Sequence, residues 1–218
     1  MQKGVFYVML LLLLHAGAQA QQDPMWKFTK TYFRSNPFIG HFSDFLEHVM
    51  HDPQLVNKRT QYRTDSTLFR FTGTYTSFNP FGFKPQRVDV ALVEENIVLY
   101  EDRPQGDTIM VYTIIAYGDS TEKGLNEVRN EYLRIDRKTK RYFADSEEED
   151  LSDSVHAGAG TNYFVDYSQL SPVSVEWITG LVRQPLLRVT IRVRNRGNES
   201  VLPMSLDDYK PVYSPEDL

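Results

Sequence analysis

From Leu68 to Tyr117 the chain passes through segments dense in β-branched and aromatic residues: Leu68 to Ser77, Arg87 to Glu94, Ile97 to Glu101 and Thr108 to Tyr117. Side chains branched at Cβ lose rotamer freedom in a helix and pack well on a pleated surface, so these segments predict successive strands. Asn79-Pro80-Phe81-Gly82, Glu95-Asn96 and Pro104-Gln105-Gly106 punctuate them. Connections this short join neighbours antiparallel, as a meander, and exclude an all-helical fold. Further on, Val173 to Ile178 and Leu186 to Arg194 continue the pattern. In the latter, Leu187, Val189, Ile191 and Val193 alternate with Arg188, Thr190, Arg192 and Arg194, so one face of the strand is apolar and the other meets water.

Ahead of the strands, Ser35-Asn36-Pro37 is a helix-start signal, with Asn36 placed to cap free amides and Pro37 fixed at the first-turn backbone angle. The spacing of Phe38, Phe42, Phe45, Leu46 and Val49 predicts an amphipathic helix over Pro37 to His51, closed by Pro53. The fold class that follows is α+β: an antiparallel, curved meander sheet of about seven to nine strands packed against one N-terminal amphipathic helix. A β-sandwich or closed barrel with an added helix is the alternative. Glu131 to Ile135 and Lys140 to Phe143, around Asp136-Arg137-Lys138-Thr139, predict one more hairpin, Ser120 to Arg129 a short helix, and Val201 a last short strand.

Residues 1–20 have the form of a cleaved export signal: Lys3, an apolar run from Val5 to Leu14, and Ala18-Gln19-Ala20 before Gln21. The run is roughly half the length a helix needs to cross a bilayer, and no transmembrane segment is expected elsewhere. Residues 21–206 are expected to form a single α+β domain with a mobile acidic loop at 145–160, and 207–218 an extended tail. The chain has no cysteine, which suits a bacterial periplasmic or secreted protein better than the eukaryotic secretory route. Its net charge of −5 becomes one unit more negative without Lys3, a poor match to nucleic acid.

Chemistry-bearing residues are few. His41, Asp44, His48 and His51 fall at steps of three, four and three on the first helix. His41 and His48 stand about 10.5 Å apart along the axis, too far to share one ion, which leaves His48 and His51, helped by Asp44 or Asp52, as metal candidates. Their spacing is not that of H-E-x-x-H, and a solvated polar face explains the same residues. Ser120-Thr121-Glu122-Lys123 matches S-x-x-K over four residues, but a helix cap accounts for it equally. The acidic run Asp145, Glu147, Glu148, Glu149, Asp150 and Asp153 lacks the alternation and glycine of a calcium loop.

Two groups suit binding. Arg188, Arg192 and Arg194 project from one side of a strand and are candidates for an anionic headgroup or acidic partner. Tyr75, Phe78, Phe81 and Phe83 surround a turn and either close the core or form the lip of an apolar pocket. With no catalytic constellation evident, the sequence points to an exported, non-catalytic envelope protein that binds an apolar small molecule or an envelope protein, without a cofactor. The alternatives are an accessory or structural subunit of a cell-envelope assembly, and a metal-dependent hydrolase using the helix histidines.

Overall fold

Strand alternation becomes two distinct faces once the strands pair. The computed structural model describes residues 24–37, 42–62, 67–96, 108–143, 145–153, 157–164, 172–179 and 184–195. Within them, helices α1 (Pro24–Tyr32) and α2 (Phe42–Met50) precede strands β1 (Leu55–Tyr62), β2 (Thr67–Tyr75), β3 (Arg87–Asn96) and β4 (Thr108–Tyr117). Helix α3 (Glu122–Thr139) leads into β5 (Asp145–Asp150), β6 (Gly158–Phe164), β7 (Val173–Thr179) and β8 (Pro185–Asn195). All pairings are antiparallel, in the order β1-β2-β3-β4-β8-β7-β6-β5. The sheet is therefore two four-stranded meanders, each entered from a helix and joined through their last strands, β4 and β8.

Register places the apolar positions on one face. Val90, Ile114, Val189 and Val175 lie side by side across β3, β4, β8 and β7, as do Leu92, Tyr112, Ile191 and Val173 one step along. All eight are fully buried. Each such aliphatic side chain contributes roughly 1.5–3 kcal/mol through burial, which fixes the register, since a one-residue slip would turn the set to water.

All three helices cover that face. Phe33 and Phe45 pack on the Tyr112 ring, with centroids 4.5 and 5.3 Å away. Phe28 of α1 meets Phe143 edge-on at 6.3 Å. Helix α3 is pinned by two buried bonds: Tyr132 with the Thr161 hydroxyl, and Tyr163 donating to Asp136, each at 2.8 Å. On the opposite face Thr113 and Thr190 share a hydrogen bond at 3.1 Å, and Arg188 pairs with Glu176 at 2.9 Å.

Several expectations change. The antiparallel, sheet-dominated fold holds, as one open eight-stranded sheet among the described residues. The helix expected over 37–51 is described over Phe42–Met50 as α2, residues 38–41 lie outside the described residues, and α1 is a further helix ahead of it. The hairpin expected over 131–143 is instead the second half of α3, because Val128, Glu131, Tyr132, Ile135, Asp136 and Thr139 form one buried helical stripe. Thr121, not Ser120, caps it, accepting from the Gly124 amide at 3.2 Å. The acidic run expected as a loop is edge strand β5, paired residue for residue with β6. Residues 97–101, the segment near Val201 and the tail lie outside the described residues, as do residues 1–20.

Candidate functional site

The turn from α2 into β1 draws charged groups together. Asp52 follows the helix and accepts the Gln54 amide on Oδ1 at 2.9 Å, bending the chain into β1. Its Oδ2 accepts from Arg34 Nε at 2.6 Å, which ties this turn to the segment after α1. Asp52 is buried, while the Arg34 side chain is 37% exposed. Around this pair opens a cleft of about 870 Å³, lined by Arg34, Ser35, Asn36, Phe45, Glu47, His48, His51, Asp52 and Pro53. Such a volume lies within the range of roughly 300–1,000 Å³ occupied by small-molecule sites.

Beneath it stand Tyr75 and Tyr112, both buried, with their hydroxyls close enough to shift one another's ionisation. Burial pushes the Tyr75 hydroxyl up to about 12 and carries Tyr112 well above its ordinary value, so both are neutral at physiological pH. The nearby negative charge of Asp52 acts in the same direction on both.

His48 and His51 are exposed and line this cleft; Asp44 is exposed on the same helix but does not. His51 Nδ1 lies 3.0 Å from the Glu47 carbonyl oxygen, one turn back. Among the described residues no three histidine, aspartate or glutamate side chains converge as a metal would require. His41 lies outside the described residues. The aromatic turn after β2 faces inward: Tyr75 and Phe81 are buried, Phe78 and Phe83 half-buried. Tyr75 packs on Phe78 at 4.9 Å and Phe81 stacks on Tyr32 at 6.3 Å. Asn79 braces the turn through bonds to the Phe83 carbonyl and the Phe81 amide.

Arg188 and Arg192 lie on the helix-free face, and neither lines the cleft. Arg188 is engaged by Glu176, and Arg192 Nη1 reaches the Ser174 hydroxyl at 3.4 Å. The Arg194 side chain lies outside the described ones. The structure thus brings His48 and His51 to one cleft, with Tyr75 at the start of the aromatic turn close beneath it, and none of Arg188, Arg192, Phe78, Phe81 and Phe83 lines it. Arg34, the residue that organises the cleft, carries no local sequence signal: its partner is eighteen residues away. Neither a known family model, nor a curated protein, nor a solved structure matches the chain.

Proposed function

We propose that the protein is an exported, non-catalytic binding protein of the bacterial envelope, periplasmic or secreted, whose ligand or protein partner occupies the cleft beside α2. The observation that carries this reading is the cleft itself, a wide opening with Phe45 and Pro53 as apolar wall and Arg34, Glu47, His48 and His51 as polar rim. Binding is favoured over catalysis because the reactive groups are already committed. Both Asp52 oxygens hold bonds that shape the turn, and the Tyr75 and Tyr112 hydroxyls are buried and held neutral. In this reading the sheet curves around the helices, and an apolar portion of the ligand rests on the exposed Pro53 while polar atoms meet the rim.

Native mass spectrometry of the protein isolated from its own envelope tests this. A bound mass released on denaturation, and lost in a His48→Ala, His51→Ala double variant that keeps its fold, is the expected result. A bare chain with and without those changes would sink it. A second reading, as a structural subunit of an envelope assembly, draws on the two outermost described strands. β1 carries Lys58 and Arg59 without a carboxylate, whereas β5 carries five acidic residues, so two unlike edges are offered to neighbours.

A further inference from the structure

A second, smaller cleft of about 360 Å³ lies between α1 and the C-terminal end of α3, lined by Lys27, Phe28, Lys30, Thr31, Tyr32, Lys138, Thr139 and Tyr142. Three lysines line it and no carboxylate does, in a chain whose net charge is −5. Other cations on and beside α3 are held in ion pairs. On α3, Lys123 pairs with Glu127 and Arg134 with Glu131, and just beyond it Lys140 pairs with Asp136 and Glu148. Among the described residues no carboxylate lies within ion-pair distance of Lys27, Lys30 or Lys138.

Helix dipoles explain part of this. Lys30 sits in the last turn of α1 and Lys138 in that of α3, where a cation offsets the partial negative charge of the helix end. Lys27 is outside the last turn, and its ammonium lies 5.7 Å from the centroid of the Tyr142 ring across the cleft. Three lysines line one opening with no carboxylate among its lining residues, a setting that suits an anion carrying more than one negative charge.

We propose that this cleft binds a phosphate-bearing ligand, its phosphate held by Lys27, Lys30 and Lys138 and the adjoining part of the molecule packed on Tyr142. A single carboxylate matches only one of the three ammonium groups, whereas a phosphate offers three acceptor oxygens and close to two charges at neutral pH. The volume suits a small phosphate monoester or the monoester headgroup of phosphatidic acid, which share this chemistry. The site is separate from the cleft beside α2 and does not depend on what that cleft holds.

The test uses the purified protein with two probes at low ionic strength: inorganic pyrophosphate by calorimetry, and phosphatidic acid vesicles, with phosphatidylcholine vesicles as the blank, by co-sedimentation. Lys30→Gln combined with Lys138→Gln should weaken binding about tenfold or more, the loss of two charge-assisted contacts. Lys84→Gln, exposed in the β2–β3 connection, should leave it unchanged. Pyrophosphate binding lost only in the double variant supports the site with a free phosphorylated compound as ligand; vesicle binding lost only there, without pyrophosphate binding, supports it with a headgroup. Binding of neither probe, binding that the double variant retains, or equal loss in Lys84→Gln overturns it.

Discussion

Removing one partner of the Arg34–Asp52 pair should not be equivalent to removing the other, because they differ in access to water. Their side chains are 37% and 5% exposed. Asp52→Ala releases a guanidinium that rehydrates, and its main cost is the lost bond from the Gln54 amide at 2.9 Å, about 1.5 kcal/mol for a charge-assisted contact. Arg34→Ala instead leaves a largely buried carboxylate without its cation. Breaking a fully buried pair in this way costs about 3–5 kcal/mol, and solvent around Arg34 already screens this one, so about 2 kcal/mol is expected. The double variant leaves no buried charge and should cost little more than Asp52→Ala alone, giving a coupling of about 2 kcal/mol. Urea unfolding of the four proteins, with slopes that stay constant, reads all of this directly. Additive effects, or an Arg34→Ala variant clearly milder than Asp52→Ala, would refute the reasoning.

Burial raises the Tyr32 and Tyr75 hydroxyls from 10.0 to about 12. Between those values the unfolded chain has released protons that the folded chain keeps. Their stabilisation is therefore complete below pH 10 and falls by about 1.4 kcal/mol per pH unit for each tyrosine up to pH 12. Phenolate absorbance should rise together with unfolding, and ionisation of these groups well below pH 11 in a folded protein would contradict it. Tyr163→Phe removes a bond to the buried Asp136 carboxylate and should cost about 1.5–3 kcal/mol, against about 0.5–1.5 for Tyr132→Phe, which loses a neutral bond to Thr161; equal losses in denaturant titrations would count against the assignment. A Cβ at Gly124 would stand 2.1 Å from the Asp119 carbonyl oxygen, so Gly124→Ala should destabilise by about 1–3 kcal/mol although alanine is the better helix former. A raised melting temperature would show that the start of α3 is looser than this contact implies.

Strands β2, β3, β4, β7 and β8 were legible because burial on one or both faces selects β-branched and aromatic residues, a signal that survives in the bare sequence. The sheet's outermost strands were not. β1 is exposed along nearly its whole length and reads Leu-Val-Asn-Lys-Arg-Thr-Gln-Tyr, with a bulge between Val56 and Arg59 and a left-handed Asn57 at φ 53°. β5 is held by backbone pairing with β6 and by the Glu148 contact with Lys140, so its five acidic side chains carried no strand signal. β6 hid behind Gly158 and Gly160, whose missing Cβ atoms give room to the Trp177 carbonyl and to Leu151. For α3, the turn-forming string Asp136-Arg137-Lys138-Thr139 concealed a helical stripe whose buried members include Glu131 and Asp136, polar residues satisfied by Arg134, Gly82, Tyr163 and Lys140. Helix α1 did leave a trace, Met25, Phe28 and Tyr32 at steps of three and four, all buried. At the site, the histidines were visible and their setting was not, since the pairing of Arg34 with Asp52 and the placement of Tyr75 and Tyr112 beneath them depend on tertiary contacts.

The absence of cysteine makes one labelling experiment unusually direct. His48→Cys places a thiol on the rim of the cleft beside α2, and Lys84→Cys places one on an exposed connection elsewhere. Each is exposed, in intact cells and as purified protein, to a charged maleimide that enters the envelope but does not cross the cytoplasmic membrane. An exported protein with an occupied cleft predicts rapid labelling at position 84 in both settings, and labelling at position 48 that is slow in cells and rapid after purification under denaturing conditions and refolding. Equal rates at position 48 in both settings would contradict an occupied cleft, and no labelling of position 84 in cells would contradict export.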